Sequence, residues 1–320
     1  MPPLRRRTFL LSTAALPLMP GIAQADAGAT FTHGVASGDP DSQSVVIWTR
    51  LVPHDAEVES LELMWEVALD NAFTSSVKSG VAICRRENDY CVKLIVDGLE
   101  PGGRYYYRFS HGGEVSRIGR TQTLPKSTDR VRIGVANCAK YVGGYYHAYD
   151  ALAQEDDLDV VIHLGDYIYE NGAALPGDSY YPASQATGRQ HAPPRHCVSL
   201  EDYRTRYAQY RGDEKLLDLH ARYPMIVIWD DHDIAKIPKR SDQQGRPIYD
   251  AQWRSRFDAS LKAWHEWIPS RVLPSEPIYR SFQFGDLVNL LMIDTRVCCK
   301  SEVTKTQASL RDPSRHIVGN

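Results

Sequence analysis

The chain has 320 residues, 42% of them hydrophobic and 24% charged, with a formal net charge of −3 and a sequence pI of about 6.4. This is an ordinary globular composition, long enough for about two domains. No long block of Lys or Arg follows the first residues, which argues against a polybasic nucleic-acid binder or a membrane-surface protein.

The first 25 residues read as a signal peptide. Arg5, Arg6 and Arg7 form a basic start, an apolar stretch runs from Phe9 to Ile22, and Ala23-Gln24-Ala25 is a small-residue cleavage site, with Ala25-Asp26-Ala27 as the alternative. The apolar run is short and broken by prolines, so no stable membrane span is expected. Arg6-Arg7-Thr8-Phe9-Leu10 has the layout of a twin-arginine signal, which predicts handling by the twin-arginine export machinery and a periplasmic or secreted location. Export makes disulfides permissible for the six cysteines. Cys84 and Cys91 flank a polar turn and are candidates to bridge a hairpin. Cys298 and Cys299 are adjacent, and one of them is a candidate partner for Cys197.

Residues 28–125 read as an all-β sandwich of the fibronectin III/Ig-like kind. Short apolar or aromatic runs (Val45–Trp48, Leu63–Val67, Val92–Val96, Tyr105–Phe109) alternate with turns such as Gly38-Asp39-Pro40-Asp41 and Leu99-Glu100-Pro101-Gly102-Gly103. The spacing of Leu99, Pro101, Gly102, Tyr105 and Tyr107 predicts a tyrosine corner. From residue 130 to 320 the pattern becomes α/β. Buried-strand runs at Arg132–Ala136, Asp159–Leu164 and Met225–Trp229 alternate with helical stretches at about 145–155, 200–220 and 252–267, and a hairpin is expected around Gly285-Asp286. Residues 171–198, rich in Gly, Pro, Ser and Tyr, read as a long loop beside the site.

Three of these strands end in ligand-type residues: Asn137-Cys138, then Gly165-Asp166-Tyr167-Ile168-Tyr169-Glu170, then Asp230-Asp231-His232-Asp233. In open α/β sheets, sites form beyond the carboxyl ends of strands. Carboxylates crowded at one rim repel unless cations separate them, so this composition implies bound metal. A single cysteine after a strand is ordinarily a small buried hydrophobe. Four consecutive ionisable residues directly after an apolar strand are harder to read as a solvated turn.

These motifs resemble the PhoD-like alkaline phosphatases, a branch of the calcineurin-like metallophosphoesterases. Gly34–Pro40 and Val46–Arg50 are similar to that family's N-terminal opening, and His163–Glu170 to its second metal motif. Tyr203–Asp213 is similar to a mid-domain helix, Trp229–Asp233 to a third motif, and Met292–Arg296 to a late strand. The resemblance implies an α/β metallophosphoesterase core of stacked mixed β-sheets flanked by helices, and a centre of Fe³⁺ and Ca²⁺. Cys138 and Tyr169 would ligate the iron, Asp166 would bridge the metals, and Asp231 would be a further metal ligand. Thiolate and phenolate suit ferric iron, and hard oxygen ligands suit calcium. His232 would assist at a phosphoryl oxygen or protonate the leaving group, and Arg296 could hold a phosphate oxygen. Asn137 and Asp230 are weaker candidates.

The implied activity is hydrolysis of phosphomonoesters or phosphodiesters, small-molecule or cell-envelope, by metal-activated water. The alternatives are a phospholipase D-like phosphodiesterase and a non-catalytic surface protein. Two departures from the pattern bear on this. Lys236 stands where a polar or ligating residue is expected. The family also continues to a late segment carrying further ligands, which the reading places beyond Asn320, so the phosphatase domain is expected to be incomplete at its C-terminus.

Overall fold

The computed structural model describes residues 28–235 and 250–297. The signal-peptide segment, Lys236, Cys298 and Cys299 lie outside the described residues. Strands β1 (Ala29–Gly38) and β2 (Val45–Pro53) open the fold. They are followed by β3 (Ser60–Ala68), β4 (Ser76–Arg85), β5 (Cys91–Val96), β6 (Arg104–His111), β7 (Glu114–Val115) and β8 (Gly119–Gln122). The second half contains β9 (Ile133–Ala136), α1 (His147–Gln154), β10 (Val160–His163), α2 (Tyr181–Thr187), α3 (Leu200–Arg211) and α4 (Glu214–Arg222). After these come β11 (Pro224–Val227), α5 (Ala251–Trp267) and the hairpin β12 (Arg280–Phe284) and β13 (Val288–Met292).

One mixed sheet spans both halves, in the order β5-β2-β1-β11-β10-β9. The strands β9, β10 and β11 are mutually parallel, and β1 joins them in parallel, with Ser37 opposite Pro224 and Gly38 opposite Met225. This sheet crosses the boundary between residues 28–125 and 130–320 that the sequence suggests. A second sheet, β4-β3-β6-β7 with β8 on β6, faces its β-rich end. Strands β1 and β2 therefore wall two cores at once, because successive side chains point to opposite faces. Val35, Val45 and Ile47 enter the sandwich core with Leu63, Val67, Tyr107 and Phe109, while Ala36 and Trp48 enter the α/β core. Every residue of β10 and β11 is buried, as expected for strands covered on both faces.

Local chemistry sets the boundaries. Ser199 and Asp202 close a capping box on α3, and Asp250 caps α5 by accepting from Trp253 N at 2.9 Å. Each such cap stabilises by about 1 kcal/mol. Tyr105 OH accepts from Glu100 N at 2.8 Å, making the tyrosine corner that the sequence predicts. At Gly38 a Cβ would lie 2.3 Å from Pro269 O and 2.6 Å from Met225 O, so only glycine lets the chain after α5 cross β1 here. The segment 171–198 is not loop throughout, since α2 interrupts it.

The cysteine expectation is corrected. Cys84, Cys91, Cys138 and Cys197 are free thiols. Cys84 sits in the sandwich core on β4, whereas Cys91 starts β5 in the other sheet and packs into the α/β core. The turn between them moves the chain from one sheet to the other, so their side chains enter different cores.

Candidate metal centre

The parallel strands β9, β10 and β11 deliver their last residues to one rim. After β9 the chain turns at Cys138, and after β10 at Gly165 and Asp166. All three take left-handed backbone conformations, with φ of 54°, 100° and 52°. Such conformations in non-glycine residues are uncommon and cluster at functional sites. The turns are tied together, since Cys138 N donates to Gly165 O at 3.2 Å. A Cβ at Gly165 would lie 2.5 Å from Asp230 N, so glycine is what allows the β10 and β11 ends to meet.

Asp166 is the hub. Its Oδ2 accepts from Tyr169 OH at 3.0 Å and from Cys138 Sγ at 3.5 Å, and its Oδ1 accepts from His232 N at 3.3 Å. Asp166, Asp230 and Asp231 each place a carboxylate oxygen within 4.8 Å of the others. Arg296 pairs with both Asp230 and Asp231, the latter at 2.9 Å. Its backbone N donates to Asp294 at 2.8 Å, which fixes the turn after β13. The His232 ring lies 4.3 Å from the Tyr169 ring, and its Nδ1 meets Glu170 Oε2 at 2.7 Å. Arg256 in turn meets Glu170 at 3.5 Å.

The electrostatics follow from this crowding. Burial, followed by the charge of Asp166, raises the Cys138 thiol. Burial and Asp166 push the Tyr169 phenol well above its ordinary range. Burial also raises Asp166 itself. Burial acts to lower His232, but the hydrogen bond and charge of Glu170 outweigh it, and the imidazole titrates above its usual value. Burial pushes Asp233 up to about 7; it accepts from Ile168 N at 3.0 Å and Asp230 N at 2.9 Å, holding the β10 and β11 loops together.

The structure thus brings together Cys138, Asp166, Tyr169, Asp231, His232 and Arg296. Asn137 is exposed, directly after β9 and before Cys138. Asp230 lies in the carboxylate cluster as fully as Asp231, so the sequence reading underweighted it. That reading also missed Glu170, which orients His232, although Glu170 stands directly after Tyr169. Asp233 was readable only as the last member of the acidic run. A thiol, a phenol and three carboxylates facing one another make a donor set that could hold a metal, with sulfur and phenolate on one side and hard oxygens on the other.

A mixed sheet flanked by helices, with these donors at the ends of its parallel strands, defines a metallophosphoesterase-type core. The family model described as PhoD-like phosphatase matches residues 133–320, and that of the PhoD-like phosphatase N-terminal domain matches residues 16–125. The chain belongs to the PhoD-like phosphatase family. It is 39% identical over 284 residues to alkaline phosphatase D of Bacillus subtilis, covering 83% of this chain and 46% of the relative. A solved structure, described as the structure of PhoD, superposes with a TM-score of 0.79 at 35% identity, covering 91% of this chain and 57% of that one. The chain therefore spans about half the length of the relatives it matches.

Proposed function

We propose that this chain carries out metal-dependent phosphoester hydrolysis of the alkaline phosphatase D type. The supporting observation is the convergence of Cys138, Asp166, Tyr169, Asp230, Asp231 and His232 at one rim. Cys138 and Tyr169 would hold Fe³⁺, Asp166 would bridge, and Asp230 and Asp231 would hold Ca²⁺. The metals would supply Lewis acidity toward a phosphoryl oxygen and an activated water. His232, held by Glu170 and titrating above its usual range, would donate a proton to the departing oxygen. Asp233 would keep the β11 loop in register with Ile168 so that His232 faces the Asp166 side of the site. Arg296, paired with Asp230 and Asp231 at the rim, would offer its guanidinium to a phosphoryl oxygen.

Arg5–Ala25 supports export by the twin-arginine route to the periplasm or beyond, with a phosphoester of small-molecule or cell-envelope origin as substrate. Among the described residues no helix is long and apolar enough to cross a membrane.

The test is hydrolysis of p-nitrophenyl phosphate and bis-p-nitrophenyl phosphate by the purified chain, with and without added Ca²⁺, alongside metal analysis. Calcium-dependent turnover with about one iron per chain supports the assignment. Metal binding without turnover would assign hydrolysis to the longer relatives only. Failure to bind metal at all would leave a non-catalytic protein.

A further inference from the structure

Two residues past Cys138 stands a cation that the chemistry of the rim does not use. Lys140 is set by a tight turn: its N donates to Cys138 O at 3.2 Å, and its O accepts from Gly143 N at 2.9 Å. Tyr141 N donates to Tyr210 OH at 3.1 Å and ties the same segment to α3. The Lys140 ammonium lies over two aromatic rings, 5.1 Å from the Tyr169 centroid and 4.3 Å from that of Tyr180. Tyr169 OH donates to Asp166 at 3.0 Å, so Lys140 is one ring removed from the hub of the site. Among the described residues no carboxylate pairs with this ammonium, whereas Arg296 is paired with both Asp230 and Asp231.

Lys140 also lines a cleft of about 710 Å³ whose walls include Asn137, Cys138, Tyr145 and Tyr180. A Cβ on Gly143 would lie 3.2 Å from the Tyr180 ring, so the glycine lets that ring pack close against the turn. Tyr145 and Tyr180 are 56% and 40% exposed, whereas the neighbouring Tyr146 and Tyr149 are buried in the α/β core. Exposed rings gathered beside a few polar groups are what ligand pockets present. A tyrosine ring offers a flat apolar face to another ring. An ammonium offers three donors and no acceptor, the complement of a phosphoryl oxygen. A cleft walled by Cys138, a cation and two open rings therefore matches a phosphoester whose organic group is aromatic.

We propose that Lys140, Tyr145 and Tyr180 form the subsite that selects the substrate's organic group. Lys140 binds a non-bridging phosphoryl oxygen, and the two tyrosines hold an aromatic leaving group. The inference rests on the hydrolysis reading above, because the rim must hold the phosphoryl group that Lys140 shares.

The test uses phenylphosphonate and methylphosphonate, whose carbon–phosphorus bonds are not phosphoesters, so binding is read without turnover. Calorimetric titration into the metal-loaded full chain, with its metal content measured, should show phenylphosphonate bound about tenfold more tightly. Tyr180→Ala should cut that preference to about twofold and leave methylphosphonate binding unchanged. Lys140→Met should weaken both ligands about tenfold with metal content unchanged. The preference itself is measured on the unaltered chain, so it stands whether or not a variant folds. A chain that binds no metal overturns this inference together with the hydrolysis reading. A metal-loaded chain that binds neither phosphonate, or both equally, or whose preference survives Tyr180→Ala, overturns the subsite alone. If Lys140→Met leaves both affinities unchanged, or weakens only phenylphosphonate, the contact between Lys140 and the phosphoryl group is overturned.

Discussion

Two Gly-Asp turns end parallel strands of the same sheet, and they serve opposite purposes. Gly38-Asp39 follows β1 and Gly165-Asp166 follows β10. In both, the aspartate takes a left-handed conformation, with φ of 40° and 52°. In both, a Cβ on the glycine would strike backbone. Asp39 is saturated by donors: its Oδ2 accepts from Ser270 Oγ, Arg271 N and Arg280 Nε, each at 2.9 Å, and its Oδ1 from Arg280 Nη2 at 2.8 Å. Asp166 instead faces two other carboxylates, a thiol and a phenol. The turn is one device for placing a carboxylate at a strand end. What the fold sets opposite decides whether that carboxylate is mortar or ligand.

The largest effect that sharpens this contrast is expected at Asp39. Asp39→Ala would leave the Arg280 guanidinium, about 10% exposed, without its carboxylate. Breaking a buried pair by removing one partner costs about 3–5 kcal/mol. Urea unfolding of the metal-free chain should show that loss, while metal bound per folded molecule stays unchanged. A loss below about 1 kcal/mol would place Asp39 among weakly contributing surface pairs and break the comparison.

Asp166→Asn should behave in the opposite way. Removing one of three crowded carboxylates relieves repulsion, so the metal-free chain should lose less than about 1 kcal/mol or become more stable. Metal affinity should fall by about a hundredfold or more, at or beyond the upper end of effects from groups that merely support ligands, which is about 2.7 kcal/mol. Titration of iron and calcium into both proteins, read beside their urea midpoints, separates the two roles. A strongly destabilised but metal-competent Asp166→Asn would invert the assignment.

The pH response is carried by buried histidines, one of which, His163, accepts from Gly165 N at 3.3 Å, while Asp233, raised to about 7, acts in the opposite direction. Burial lowers His163, His191 and His265 to about 3, and His220 well below its usual value. Their folded pKa values lie below the unfolded value near 6.5, so the unfolded chain binds more protons between those limits. Their contribution to stability is complete above pH 6.5 and is lost as pH falls toward 3, at up to about 1.4 kcal/mol per pH unit for each histidine. Denaturant midpoints measured from pH 7.5 to 4.5 should fall steadily, and His265→Gln should flatten the slope by one proton. A slope unchanged in that variant would mean that His265 titrates normally in the folded chain.

Much of this was legible in the sequence, for stated reasons. Alternation and turn residues located the strands, and ligand-type residues after apolar runs located the rim, because strand ends in such sheets are where sites form. The tyrosine corner was readable because it depends on local spacing. What was not legible was long-range. Nothing near Cys84 and Cys91 tells that the chain changes sheets between them. The β1–β11 pairing joins residues far apart in the chain, so the continuity of the sheet could not be read from local pattern. Gly38-Asp39 and Gly165-Asp166 look alike in sequence, and only the arrival of Arg280 and Ser270 at one of them separates their roles. Asp230 and Glu170 were visible as residues but not as partners, because their geometry depends on Arg296 and Arg256 folding back from later in the chain.

The smallest effect concerns thiols, and it probes the rim without disturbing the fold. Cys84, Cys91 and Cys197 are buried, and burial raises all three, Cys197 to about 12. Cys138 is exposed, and partial loss of hydration followed by the charge of Asp166 raises its thiol too. The thiolate is the reactive form, so Cys138 should alkylate more slowly than a free cysteine, yet before the three buried ones, because access is the larger difference. Asp166→Asn removes the neighbouring charge and should speed labelling of Cys138 severalfold in the metal-free chain. Bound metal should suppress labelling at Cys138 alone, since coordination ties up the sulfur. Iodoacetamide labelling followed by peptide mapping reads all four positions in one experiment. If Cys138 labels equally with and without metal, the sulfur is not a ligand, and the rim at Asp166 must be rebuilt from oxygen donors only.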